Sequence, residues 1–124
     1  MLFRSNMLCA LVALVAVWSA APSAFHHFEL VRSTPAARVT VKTAVTRLQL
    51  WFTQVPAAGV SQITLKGPAG DVALGKTEIV AKEKAMFADA KAPLAPGAYT
   101  LHWRGAGDDG HVQQGDIAFS VAAR

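Results

Sequence analysis

Sulfur is scarce in this sequence. The 124 residues include one cysteine, Cys9, and three methionines. A single cysteine can form neither an intramolecular disulfide nor a cluster of thiolate metal ligands. Cys9 also lies in the segment that is predicted below to be a cleaved signal peptide, so the exported domain would have no cysteine for thiol redox chemistry or a cysteine-type zinc site. We expect packing alone to hold its fold together.

Charge is also scarce. Charged residues make up 16% of the chain, and the formal net charge of +4 is spread along it without a basic run. Because nucleic-acid-binding domains concentrate lysine and arginine in a patch or run, we expect no nucleic-acid partner. The hydrophobic residues, 52% of the total, are enough for one buried core. We therefore expect a single domain, and a monomer.

The first residues have the features of a secretory signal peptide. Arg4 provides a positive charge, residues 7–18 form an apolar run, and residues 19–24 are mostly small and end in Ala24. The run is shorter than the roughly 20 apolar residues that a membrane-spanning helix needs. We predict a signal peptide over residues 1–24, an exported domain over residues 25–124, and no membrane insertion after cleavage.

Most of the remaining sequence alternates apolar and polar residues with the two-residue period of β-strands. The clearest case is residues 45–52, in which Leu48, Leu50 and Phe52 face one way. Glycine and proline turns separate the segments, so we predict an all-β antiparallel sandwich or barrel. Residues 85–88 fit a strand or a helix, because the alanines here and the lysines just before them favour helices. The other predicted strands are residues 28–33, 62–66, 71–74, 77–81, 99–104 and 117–121.

The same alternation assigns faces to three aromatic or histidine side chains. Trp103 falls on the inward face of residues 99–104, and His102 falls on the outward face, where we expect a surface histidine. Trp51 falls on the outward face of its strand. There it either covers the sheet or belongs to a patch that contacts a partner.

Metal-ligating side chains collect in two places. His26 and His27 follow the predicted cleavage site, and Asp108, Asp109 and His111 lie at a predicted loop after the strand at residues 99–104. Adjacent histidines near a chain end are often simply solvated, and aspartate before glycine commonly forms a turn by bonding nearby backbone. These residues alone leave a polar turn and a metal site as alternatives.

One set of residues shares its order and spacing with a known family. The set is His27, Leu30, Ser33, Thr34, Pro35, the strand that ends at Phe52, Leu94, Pro96, Gly97, Tyr99, Trp103, Arg104, Asp109, Gly110, His111, Gly115 and Phe119. It resembles the CopC family of small periplasmic copper-resistance proteins, over nearly all of the predicted exported domain. The resemblance implies a Greek-key β-sandwich, related to cupredoxins and immunoglobulin-like domains.

The resemblance also implies a Cu(II) site made from both ends of the domain. In that family an amino-terminal histidine supplies its α-amine and its imidazole, and a late loop supplies an aspartate and a histidine. The corresponding residues here are His27, Asp109 and His111, with His26 as an additional candidate ligand. Cu(II) prefers tetragonal nitrogen and oxygen ligands, which this set provides without sulfur.

Two departures from the family pattern bear on this site. Many members have Ser-Glu-Pro after the strand that ends here at Phe52, and the glutamate can lie near the copper. This sequence has Thr53, Gln54 and Val55, so we expect Gln54 to contribute a hydrogen bond beside the site instead of a charge. The late-loop histidine is commonly followed by proline but here by Val112, so we expect a less rigid loop.

The mature amino terminus decides how His27 binds copper. Cleavage after Ala24 leaves Phe25 and His26 ahead of it, so that His27 is the third residue. An α-amine, two deprotonated backbone amides and a third-position imidazole can surround Cu(II) or Ni(II) in a square plane. This amino-terminal clamp and the family-type site both remain open, and we favour the family-type site.

Some family members have a methionine-rich Cu(I) site as well. After the predicted signal peptide this sequence contains only Met86, which cannot form a site of several thioethers. We therefore predict a protein that binds Cu(II) only.

The resemblance implies an exported, periplasmic Cu(II) carrier or buffer in copper homeostasis and resistance, with no enzymatic turnover. The expected delivery partner is an inner-membrane copper transporter. One alternative is an immunoglobulin-like structural or interaction domain whose metal site has degraded. A copper-dependent oxidative enzyme is favoured least, because the sequence has no aromatic array for binding a polysaccharide.

Overall fold

The computed structural model describes residues 27–123, which fold almost entirely as β-strands. One 3-10 turn, Ala81–Glu83, is the helical element in this range, and no helix within it is long and apolar enough to cross a membrane. The strands are β1 (Leu30–Thr34), β2 (Thr40–Val41), β3 (Arg47–Phe52), β4 (Gln62–Gly67), β5 (Gly70–Asp71), β6 (Glu78–Val80), β7 (Ala85–Asp89), β8 (Gly97–Gly105) and β9 (Gln113–Val121).

These strands form two sheets packed on a common core. One sheet has the order β1-β3-β7-β6, and the other has the order β2-β9-β8-β4-β5. Neighbouring strands are antiparallel except for β2 and β9, which are parallel. The chain crosses between the sheets after β1, β2, β3, β5 and β7, which is a Greek-key arrangement. The all-β prediction is confirmed in its sandwich form.

The alternation of apolar and polar residues along the strands gives each sheet one buried face. Leu48 and Leu50 of β3 and Leu101 of β8 are fully buried, whereas Arg47 and Arg104 on the same strands face solvent. Successive side chains of a strand point to opposite faces, so each sheet presents one apolar face to the other. The hydrophobic core lies between these two faces.

Phe28, which precedes β1, packs into this core at one end of the sandwich. Its ring stacks on Phe52 with the centroids 4.5 Å apart, and it meets Trp103 edge to face at 6.2 Å. A Cβ atom built on Gly105 would lie 2.9 Å from the Phe28 ring, so only glycine allows the backbone of β8 to come this close. Phe28 therefore packs the amino-terminal segment against the end of β8.

The segment that fits either a strand or a helix forms a strand, β7. Its residues pair with β3, and the register places Met86 opposite Leu50 and Ala88 opposite Leu48. All four of these side chains are buried in the core. The helix preference of its alanines is therefore overridden by pairing and burial.

Several strand boundaries differ from the sequence prediction by one or two residues, and three strands differ more. β9 begins at Gln113 instead of residue 117, because it pairs with β8 as far as Gly105. Of the predicted strand at residues 71–74, only the first residue is in a strand, as the hairpin partner of β4. The strand Thr40–Val41 was not predicted, because two residues are too few for a periodic pattern.

The faces predicted from alternation are confirmed. Trp103 is buried, and His102 lies on the outer face of its sheet with Nδ1 2.6 Å from Oδ1 of Asp116. Trp51 lies on the outer face of the other sheet, where the guanidinium carbon of Arg32 is 3.7 Å from its ring centroid. Trp51 therefore covers a sheet face and is itself covered by Arg32. A role for Trp51 in contacting a partner stays a prediction.

Replacing Phe28 with alanine should destabilise the domain by about 3–5 kcal/mol, the usual cost of truncating a buried phenylalanine. Val31→Ala is the control, because Val31 is 62% exposed and surface substitutions usually change stability by about 0.5 kcal/mol or less. Urea unfolding followed by tryptophan fluorescence measures both. A loss of less than about 1 kcal/mol for Phe28→Ala would contradict the packing described here.

Candidate metal centre

Residues 106–112, which join β8 to β9 and are called the late loop below, contain a tight turn. The N–H of Gly110 donates to the carbonyl oxygen of Gly107 over 3.1 Å, and Gly110 has a φ of 72°. The N–H of His111 donates to Oδ1 of Asp109 over 3.0 Å. Asp109 is therefore a turn former, which is one of the two roles that the sequence left open.

This turn leaves Asp109 and His111 beside each other on the surface. Oδ2 of Asp109 is 3.5 Å from Nδ1 of His111, and their side chains are 41% and 83% exposed. A carboxylate has about four lone-pair sites, so one bond from a backbone N–H does not exhaust its capacity as an acceptor. The turn and a metal-binding role for Asp109 are therefore compatible.

His27 lies at the start of the described residues, and its side chain is exposed. Its carbonyl oxygen accepts a hydrogen bond from the Thr53 hydroxyl over 2.6 Å. The same hydroxyl oxygen accepts a bond from the N–H of Glu29 over 3.0 Å, and the N–H of Thr53 donates to the carbonyl oxygen of Glu29 over 2.9 Å. With Phe28 buried between them, these residues are held at the end of β3.

Gln54, the next residue after Thr53, is bonded to the late loop. Its Oε1 accepts a hydrogen bond from the N–H of Asp108 over 2.9 Å. Close by, the N–H of Ala57 donates to the carbonyl oxygen of Ala106 over 2.8 Å. The segment that follows β3 is thus bonded both to the amino-terminal segment and to the late loop, and it brings them to the same end of the sandwich.

The predicted ligands are brought to one region without forming a closed metal site. Across residues 27–123, no three His, Cys, Asp or Glu side chains lie close enough together to hold a metal ion as they stand. Asp109 and His111 are side by side, while the Thr53 side chain bonds the backbone of His27 and the next side chain, Gln54, bonds the backbone of the late loop at Asp108. His26 and the predicted signal peptide lie outside the described residues.

The donor chemistry of this region fits Cu(II). Two imidazoles and a carboxylate, without sulfur, are ligands that Cu(II) accepts readily. The imidazoles of His27 and His111 are both exposed, so they can change rotamer without breaking core contacts.

Thr53 is the residue at this end of the sandwich that the sequence alone did not single out. It appeared there only as part of a departure from a family pattern. A hydroxyl residue directly after a strand is the available signal, because serine and threonine commonly bond backbone groups that lack a ladder partner. That signal identifies the hydroxyl but not the segment that it bonds.

The chain is similar to copper-resistance proteins in sequence. A family model described as the CopC domain matches residues 30–122. Copper resistance protein C of Xanthomonas campestris pv. juglandis is 35% identical over 130 residues, which cover 97% of this chain and 99% of that protein. Protein YobA of Escherichia coli K12 is 29% identical over 102 residues, which cover 81% of this chain and 82% of YobA.

Solved structures share the same fold. PcoC, described as a methionine-rich copper resistance protein from Escherichia coli, matches with a TM-score of 0.69 and 31% identity over 77% of this chain and 98% of PcoC. CopC from Methylosinus trichosporium OB3b matches with a TM-score of 0.69 and 26% identity over 77% of this chain and 94% of that chain. Both align over nearly their whole length, as expected for one sandwich domain.

Gly107→Ala should destabilise the late loop, because the new Cβ would overlap Oε1 of Gln54 and lie 3.1 Å from Cβ of Phe28. Overpacking of this kind usually costs about 1–3 kcal/mol. Gly75→Ala is the matched control, since the nearest atom to its Cβ would be a carbonyl oxygen at 3.5 Å. Urea unfolding should give Gly107→Ala a clearly lower free energy of unfolding than Gly75→Ala. Equal stability would show that the late loop does not pack against Gln54 and Phe28.

Proposed function

The chain belongs to the CopC domain family, and from this premise we propose that it is an exported Cu(II)-binding protein. It carries or buffers copper in copper homeostasis and resistance. The relatives described as copper resistance proteins support the general role. The observation that carries the proposal is that Thr53 and Gln54 are bonded to the segment bearing His27 and to the loop bearing Asp109 and His111, respectively.

The proposed ligands are the imidazoles of His27 and His111 and the carboxylate of Asp109. The turn supports this assignment, because it directs Oδ2 of Asp109 toward the His111 ring while Oδ1 holds the backbone. Asp108 is also exposed, but the bond that holds it to Gln54 is made by its backbone N–H, and the pairing with His111 is made by Asp109. We therefore assign the carboxylate ligand to Asp109.

The contribution of the amino terminus depends on where the mature chain begins. A start at His27 supplies an amine and an imidazole from one residue. A start at Phe25 instead allows the amino-terminal clamp, in which the amine of Phe25 and the backbone amides of His26 and His27 bind copper with the His27 imidazole. The clamp needs no ligand from the late loop. Dependence of copper binding on His111 therefore separates the two arrangements.

Gln54 acts in this proposal as a support of the loop. Its side-chain oxygen accepts a bond from the N–H of Asp108, next to the proposed carboxylate ligand. An amide is neutral, so it adds no negative charge beside the copper. Asp109 then supplies the single carboxylate of the proposed site.

The exposure of the site favours transfer over catalysis. With His111 83% exposed and Asp109 41% exposed, the ligands of a second protein can approach the metal ion directly. We propose that the protein works as a monomer in the periplasm and delivers copper to an inner-membrane copper transporter. The periplasmic location rests on the predicted signal peptide over residues 1–24.

The oxidation state in this proposal is Cu(II). Within residues 27–123 the one methionine is Met86, which is fully buried in the core. A buried single thioether cannot coordinate Cu(I) together with other sulfur ligands. In this respect the chain differs from PcoC, which is described as methionine-rich.

His111→Ala should weaken Cu(II) binding by about 100-fold or more, since losing even a residue that only orients a metal ligand costs about 10–100-fold. Titration followed by electron paramagnetic resonance should also show one fewer nitrogen ligand. His102→Ala is the matched control, because His102 is another exposed histidine and is paired with Asp116 on a sheet face. It should bind copper like the wild type.

The intact mass of the exported protein completes this experiment by identifying its first residue. A start at Phe25 with copper binding unaffected by His111→Ala would indicate the amino-terminal clamp. Absence of tight copper binding in the wild-type protein would favour an immunoglobulin-like interaction domain with a degraded site.

Met86→Leu should leave copper binding unchanged in both oxidation states, because the side chain is buried away from solvent. The wild-type protein should bind Cu(I) only weakly under reducing conditions. Competition with a Cu(I)-specific chelator measures this affinity. Tight Cu(I) binding that disappears in Met86→Leu would contradict the proposed preference for Cu(II).

A further inference from the structure

The Thr53 side chain joins backbone groups on both sides of Phe28. Its hydroxyl donates to the carbonyl oxygen of His27 over 2.6 Å and accepts from the N–H of Glu29 over 3.0 Å. The hydroxyl therefore acts as both donor and acceptor within one short segment. We propose that Thr53 is a positioning residue, which holds the backbone of His27 so that its ligating groups face the late loop.

Thr53 lies just beyond the end of the ladder between β1 and β3. The ladder pairs Leu30 with Phe52, and the N–H of Thr53 adds a further bond to the carbonyl oxygen of Glu29. Beyond Thr53 the chain turns away toward the late loop, so β3 has no backbone partner to offer His27. The Thr53 hydroxyl takes the place of that partner, because it donates a hydrogen bond to the carbonyl oxygen of His27.

The backbone of His27 is therefore restrained, while its imidazole is exposed. The Phe28 side chain is held in the core, and the carbonyl group of His27 is held by Thr53. The backbone of His27 is therefore ordered before any metal ion arrives. Binding that does not have to order a flexible segment is tighter, because the entropy cost has been met during folding. This inference rests on the proposed function, in which His27 is a copper ligand.

A purely structural role makes a different prediction. If Thr53 only stabilises the end of the sheet, its loss should lower stability and leave the copper site unchanged. If it positions His27, its loss should change the copper spectrum and affinity as well. Thr53→Val removes the hydroxyl and keeps the shape and the backbone N–H, whereas Thr53→Ser keeps the hydroxyl.

The experiment compares these two variants with Thr64→Val, which removes an exposed hydroxyl from β4. Amide hydrogen exchange of the copper-free proteins reports on the N–H of Glu29. This N–H should be protected from exchange in the wild type and in Thr53→Ser. In Thr53→Val it should exchange about tenfold faster or more, because the hydroxyl oxygen that accepts its hydrogen bond is gone. Thr64→Val should match the wild type.

The copper-loaded proteins provide the second measurement. Thr53→Val should bind Cu(II) about 10–100-fold more weakly, the usual cost of losing a residue that orients a ligand, and its electron paramagnetic resonance spectrum should change. Thr53→Ser should restore both the affinity and the spectrum. If Thr53→Val does not fold, Thr53→Ala takes its place in both measurements.

Three results would overturn the inference. An unprotected Glu29 amide in the wild type would show that the hydroxyl does not hold the segment. An unchanged copper spectrum and affinity in Thr53→Val, with copper binding still lost in His111→Ala, would leave the proposed function intact and assign Thr53 a structural role. Copper binding unaffected by both Thr53→Val and His111→Ala would contradict the proposed site together with the role of Thr53 in it.

Discussion

The burial of Phe28 is the interaction on which this end of the sandwich depends. Its ring stacks on Phe52 from one sheet and meets Trp103 from the other, so a single side chain connects the two sheets. An aromatic residue of this size buries about 150–250 Å² of surface. The neighbour in sequence, His27, must remain where Phe28 is held. The segment that precedes β1 thus becomes an ordered part of the domain.

Polar contacts then build on that packed ring. Thr53 and Gln54 follow β3 and bond to two segments that are distant in sequence, the His27–Glu29 segment and the late loop. Gly107 allows these parts to come close, because any side chain there would overlap Gln54. The result is a restrained backbone with exposed histidine side chains, which suits the proposed role of a copper carrier.

Alternation in the sequence was sufficient to predict an antiparallel sandwich or barrel and the inward face of each main strand, because a strand buried on one side must repeat every two residues. The alternation could not show whether residues 85–88 form a strand or a helix, or where β9 begins. Both depend on pairing with a neighbouring strand. Asp109 was predicted as a turn former or a ligand, and the turn occurs in a form that permits either role. Thr53 was missed because its bond joins residues 26 positions apart, which no local pattern records.

The central claim is that one Cu(II) ion is held by histidines from both ends of the domain. Pulsed electron paramagnetic resonance of the copper-loaded mature protein counts the imidazoles bound to the metal through their remote ring nitrogens. The account predicts two coordinated imidazoles in the wild type and one in His111→Ala. A single imidazole in the wild-type protein, unchanged in His111→Ala, would contradict it.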